Sequence, residues 1–278
     1  MSEPQQVAGE QKAMETTGQE TTFGCVDGSE MSAFVCKPTT GKYPGVIVIH
    51  EAFGLNEQIR GVARRYAQEG YVTIAPNLFT RNADVMNEKN IEATMRHMWA
   101  LPPDKRTDPD TIQGVISKMS ETEKKVANIF FLGREKMEKQ MAQDLSDCRS
   151  YLQRLDFVNG EKLGIMGFCL GGGLTYQLST LHPFSASVPF YGANPKPLES
   201  IEKISGPVLA FYAGEDERIN SGLPSLVEAM VKYKKQFSLK IYKGAQHSFF
   251  NEMRPSYNEE AASDAWESSL AFFKKNLK

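Results

Sequence analysis

Cys169, Asp216 and His247 are the residues of this chain whose types and setting could do chemistry. A thiol attacks a carbonyl carbon once it has lost its proton. An imidazole can take that proton and return it, and a carboxylate can orient the imidazole and stabilise its charged form. Cys169 sits in Gly167-Phe168-Cys169-Leu170-Gly171-Gly172-Gly173. The β-compatible residues 162–165 run into this turn and residues 174–181 read as a helix. Small residues on both sides suit a strained apex that neighbouring elements approach closely. A helix N-terminus also favours thiolate over thiol. Taken alone, a cysteine in a glycine-rich turn serves packing equally well.

The other two residues decide the matter. Asp216 follows the apolar run 208–212, within Gly214-Glu215-Asp216-Glu217, and His247 follows the run 238–242. By itself Asp216 would read as part of a solvated acidic turn, and His247 as a surface loop residue. Nucleophile, acid and base occur in the chain order of the α/β-hydrolases, each just past a predicted strand. His97 and His182 have no such setting and read as structural. The N–H of Leu170, next after the nucleophile, is placed to hold an oxyanion. A second N–H is expected from the loop after the first central strand, most simply that of Ala52.

Elements able to bring these residues together are legible along the chain. Residues 1–20 are polar and read as a tail. Residues 21–26 and 31–37 flank Asp27-Gly28-Ser29-Glu30 and predict an edge hairpin. The continuously apolar run 45–50 predicts a central parallel strand, and Glu51-Ala52-Phe53-Gly54 leaves its carboxyl end. Asn56 predicts the N-cap of a helix reaching residue 68, with a strand over 71–75 after it. Residues 82–133 carry helical segments around 85–100 and 111–128 and predict a helical cap inserted in the sheet domain, or a plain pair of core-covering helices. A long helix over 134–155, strands over 186–192, 208–212 and 238–242, and helices over 223–234 and 257–275 complete an α/β fold. That fold is a mostly parallel sheet with helices on both faces, in one domain over 21–278.

Composition excludes several classes of partner. A formal net charge of -2 gives no case for nucleic acid or an anionic membrane. No long apolar run or basic-then-apolar leader is present, so the expectation is a cytoplasmic protein with a small-molecule substrate. The cysteines Cys25, Cys36, Cys148 and Cys169 lack metal-ligand spacing, so no metal or cofactor is expected and reduced thiols are.

Gly167-Phe168-Cys169-Leu170-Gly171-Gly172, Gly214-Glu215-Asp216 and Gly244-Ala245-Gln246-His247-Ser248-Phe249 resemble the dienelactone hydrolase (carboxymethylenebutenolidase) family from about residue 21 onward. The resemblance implies an α/β-hydrolase fold and a Cys-His-Asp triad that opens an unsaturated, carboxylate-bearing lactone. It further implies that Glu51 contacts the resting thiol and takes part in activating it. It also implies that Arg81 and Arg254 grip the substrate carboxylate. The sequence departs from compact members of the family in its longer stretch after Arg81. A carboxylate-lactone hydrolase is the expectation. A general carboxylesterase with a diverged cap and a non-catalytic thiol sensor on the same fold are the alternatives.

Overall fold

The computed structural model describes residues 13–102, 105–106 and 108–278. Among them, eight strands form one sheet in the order β1-β2-β4-β3-β5-β6-β7-β8. They are β1 (Thr16–Gly24), β2 (Glu30–Pro38), β3 (Tyr43–Ile49), β4 (Val72–Pro76), β5 (Val158–Phe168), β6 (Ala186–Phe190), β7 (Val208–Ala213) and β8 (Phe237–Tyr242). The β1/β2 and β2/β4 pairs are antiparallel and the rest of the ladder is parallel. Parallel strands put every carboxyl end on one edge, so the loops leaving β3, β5, β6, β7 and β8 share it.

The helices are α1 (Glu57–Gln68), α2 (Glu88–Trp99), α3 (Pro109–Ser117), α4 (Glu121–Ala127), α5 (Arg134–Gln153), α6 (Leu170–Leu181), α7 (Glu217–Asn220), α8 (Leu223–Lys232) and α9 (Glu259–Leu277). Side chains alternate across a strand, and β3 uses both faces. Val46 and Val48 point into a core built with α1 and α9, where Tyr66 and Phe273 are fully buried. Ile47 and Ile49 point into the opposite core with Leu145 and Cys148 of α5 and Leu174 and Leu178 of α6. Asn56 caps α1 by accepting from Ile59 N–H, and Tyr66 and Ser269 share a buried hydroxyl contact between α1 and α9.

Three sequence expectations need correction or refinement. Strand β1 starts at Thr16, inside the stretch read as a tail, because the backbone of residues 16–20 pairs with 34–38 of β2 and needs no apolar side chains to do so. Residues 1–12 of that tail lie outside the described residues. The segment read as one helix over 111–128 is two, because Ser120 caps a new helix in a capping box with Glu123. Helix α6 begins directly after Cys169 rather than at residue 174, so the glycines at 171–173 are helical.

Gly171 in α6 and Gly167 in β5 are dictated by contact distance. A Cβ on Gly171 would lie 2.5 Å from the Ile49 carbonyl oxygen, and one on Gly167 would lie 2.2 Å from the Gly171 oxygen. Backbone cannot yield as a flexible side chain can, so α6 rests directly on β3 and β5. We expect Gly171→Ala to push α6 off the sheet and cost at least about 2 kcal/mol, as for other overpacked sites, read by urea unfolding. Wild-type stability in that variant would show that the contact does not constrain the fold.

Candidate active site

Cys169 occupies the turn between β5 and α6 at φ 55, a left-handed conformation that costs a non-glycine residue. Its N–H donates to the Phe190 carbonyl at 3.1 Å and its own carbonyl accepts from Gly173 N–H, so both sides of the apex are held. Asp216, past β7, is buried and caps α7 by accepting from Ile219 N–H. Its other carboxylate oxygen receives the His247 Nδ1 proton. Burial opposes charge on Asp216, but the His247 hydrogen bond and positive charge hold its pKa below the usual carboxylate value. Burial also opposes charge on His247. The negative charge of the Cys169 sulfur and the Asp216 hydrogen bond outweigh it and raise the imidazole to about 10. A hydrogen bond between the His247 and Cys169 side chains adds to this rise. The structure thus brings all three sequence-predicted residues to the carboxyl edge of the sheet.

Glu51 joins them. Asn251, from the loop that carries His247, donates its amide to Glu51 Oε2. The Tyr191 side chain is also buried, beside the Glu51 carboxylate, with its ring 5.0 Å from that of His247. Burial first, then the negative charges of Glu51 and Cys169, drive the Tyr191 pKa well above its ordinary value. Cys169, His247, Tyr191 and Glu51 thus form one buried polar cluster at the carboxyl edge of the sheet. Among the described residues the N–H groups of Ala52 and Leu170 donate no hydrogen bond. Sequence reasoning missed Tyr191 and Asn251. Both follow strand ends on the same edge as the expected site residues, which is the one signal available.

The two arginines part company. Arg81 donates from Nε and Nη2 to the buried carboxylate of Asp144 on α5 and from Nη1 to Asp27 in the β1–β2 turn. Its guanidinium was expected on a substrate carboxylate and is instead spent joining the hairpin to α5. Arg254 lies with its guanidinium 3.8 Å over the Phe53 ring, two residues past Glu51, and donates to Glu92 at 2.6 Å and Glu88 at 3.4 Å on α2. Asn56 also donates to Glu88, and the Trp99 ring lies tilted with its centroid 6.3 Å from that of Phe53. Helix α2 therefore meets the loop after β3 and Arg254.

An eight-stranded, mostly parallel sheet flanked by helices, with a sharp strand-to-helix turn at Cys169, is the architecture of the α/β-hydrolase fold. The sequence profile of the dienelactone hydrolase family matches residues 31–277. A protein of Saccharolobus solfataricus named "Putative carboxymethylenebutenolidase" is 48% identical over 249 residues, covering 90% of this chain and 95% of its own. A Synechocystis protein of the same name is 32% identical, covering 90% and 93%. The crystal structure titled as a putative dienelactone hydrolase from Klebsiella pneumoniae superposes with a TM-score of 0.71 at 27% identity, covering 94% of this chain and 99% of that one. The chain belongs to the dienelactone hydrolase family and is a hydrolase of ester or lactone bonds.

None of the four cysteines is in a disulfide. Among the described residues no group of three or more His, Cys, Asp or Glu could hold a metal ion, and no helix is long and apolar enough to cross a membrane.

The contacts of Arg81 lead to a specific expectation. Asp144 is 1% exposed, and removing its main partner leaves a buried charge with only the Gln140 amide. Arg81→Ala should cost about 3 kcal/mol of unfolding free energy. A variant as stable as wild type, but with KM raised for an anionic ester, would return Arg81 to the substrate.

His50 generates a second expectation. It is fully buried, and burial lowers its pKa from 6.5 to about 4 against the raising effect of its hydrogen bond to the Glu51 backbone. The unfolded chain then takes up a proton that the folded chain refuses. The neutral ring's contribution is complete above pH 6.5 and is lost as pH falls towards 4, amounting to about 3 kcal/mol. Urea unfolding of wild type and His50→Gln across that range should converge as pH falls. Parallel curves would mean that His50 does not titrate in this window.

Proposed function

We propose that the protein cleaves small esters or lactones through a thioester on Cys169, with Arg254 as the residue that recognises a carboxylate on the substrate. The observation that carries this is His247 held between two partners, its Nδ1 on Asp216 and its side chain hydrogen-bonded to Cys169. The Cys169 sulfur, as thiolate, adds to the carbonyl carbon and the negative charge moves to oxygen, which the Leu170 and Ala52 N–H groups stabilise. The carbonyl re-forms as the bond to the leaving oxygen breaks, and His247 gives that oxygen its proton. Water then attacks the thioester while His247 takes a proton from it, and Cys169 leaves as thiolate beside the reprotonated imidazole. Asp216 keeps Nδ1 protonated and stabilises the imidazolium throughout. Glu51 and Cys169 both act on the Tyr191 hydroxyl; a carboxylate beside the sulfur disfavours its negative charge, and a substrate that displaces it would relieve that repulsion.

One observation favours a second reading, in which neutral esters are the natural substrates. Arg254 is already matched by Glu88 and Glu92, so a substrate carboxylate must displace an existing partner while a neutral ester need not. Comparing kcat/KM for a carboxylate-bearing lactone with that for a matched neutral ester separates the two. On the first reading Arg254→Ala lowers the ratio about 10-fold or more, the loss of one charge-assisted hydrogen bond, and Glu92→Gln raises it by freeing the guanidinium. On the second, neither variant moves the ratio. Cys169→Ala should abolish turnover of both substrates at nearly unchanged thermal stability. Residual wild-type activity in that variant would rule out the thioester.

A further inference from the structure

We infer that His50 is a positioning residue that sets the direction of an oxyanion-binding N–H by holding the carbonyl of the same peptide unit. The inference rests on the thioester reading above and adds a residue to it.

His50 is the last residue before the loop that leaves β3, and its side chain bridges two strand ends. Nδ1 lies 2.6 Å from the Glu51 carbonyl oxygen, and Nε2 lies 3.1 Å from Leu78 N, beyond β4. The Leu78 N–H can only donate, so Nε2 must accept and carries no proton. A neutral ring then has its hydrogen on Nδ1 and donates it to the Glu51 carbonyl. Complete burial keeps the ring neutral, which preserves this one tautomer. Phe79 packs at 5.0 Å from the imidazole and prevents it from swinging.

The Glu51 carbonyl also accepts from Gly54 N–H at 3.3 Å, closing a tight turn in which Gly54 has φ 82. Two donors therefore fix that oxygen. In a planar trans peptide the C=O and the following N–H point in opposite directions, so fixing the Glu51 oxygen fixes the Ala52 N–H. That N–H donates to nothing among the described residues, and neither does Leu170 N–H on the far side of the thiol. Without the imidazole the Glu51–Ala52 peptide would have only the longer Gly54 bond to resist rotation. A rotated peptide would present a carbonyl, and its negative end, to the developing oxyanion. An oxyanion hole is effective because its donors are already oriented when charge develops, so a freely rotating one loses most of its value.

Two variants of similar size divide the two bonds of His50. In His50→Asn the side-chain amide stands where Nδ1 stands and can donate to the Glu51 carbonyl. In His50→Gln the amide reaches the Nε2 position and its oxygen can accept from Leu78 N–H, but the donor to Glu51 is gone. For a neutral p-nitrophenyl ester we expect kcat of His50→Gln to fall about 10²- to 10³-fold, as when one oxyanion donor is removed. His50→Asn should keep at least tenfold more kcat than His50→Gln, and KM should change less than threefold in both. Alkylation of Cys169 by iodoacetamide builds no oxyanion, so its rate should match wild type in both variants. A His50→Gln enzyme as fast as His50→Asn would overturn the assignment. So would an alkylation rate that falls in step with kcat, because that would make His50 a structural support for the whole site. Failure of the underlying thioester reading has a different signature, namely wild type and Cys169→Ala hydrolysing the same ester alike.

Discussion

Direct backbone contact between α6 and the two central strands is the constraint on which this structure depends. Gly171 touches the Ile49 carbonyl and Gly167 touches the first turn of α6, with no side chain between them. The helix is therefore seated on the carboxyl ends of β3 and β5, within reach of the loop that carries Glu51 and Ala52. The same seating holds Cys169 at positive φ, a strain of about 1–3 kcal/mol that bonds on both sides of the residue maintain. A looser elbow would relax that strain and leave the sulfur and the facing N–H groups out of register.

Electrostatics then pairs the polar groups along the edge of the sheet. Asp216 and His247 satisfy each other, Asn251 satisfies half of the Glu51 carboxylate, and Arg81 is consumed by Asp144 and Asp27. Tyr191 and Glu51, and His247 and Cys169, are paired in turn within one buried cluster. Burying polar atoms is unfavourable unless they are hydrogen-bonded, which is why these groups cluster. The position of Arg254 extends this pairing to the inserted helices. Its ion pairs to Glu88 and Glu92 and its place over the Phe53 ring tie α2 to the loop after β3.

Much of this was readable from the chain alone. The apolar run of β3, the glycine spacing around Cys169 and the order of Cys169, Asp216 and His247 are local signals, and the sheet topology converts them into one site. The readings that needed correction depended on partners distant in sequence. Residues 16–20 look like a polar tail until the β2 backbone beside them is known. Arg81 has the chemistry to clamp a carboxylate, and only the packing of α5 against the β1–β2 turn shows that its clamp is already closed on Asp144. His50 reads as the last residue of a strand, and nothing in its neighbours indicates that Leu78 lies against its ring.

The sequence by itself determined which residues could do chemistry and which end of the sheet they would occupy, because hydrophobic periodicity and strand order are written in short-range pattern. Tertiary structure alone decided which polar groups are spent on one another and which are left for a substrate. That division depends on hydrogen-bond geometry between residues as far apart as Glu51 and Asn251, where a fraction of an ångström separates a partner from an orphan.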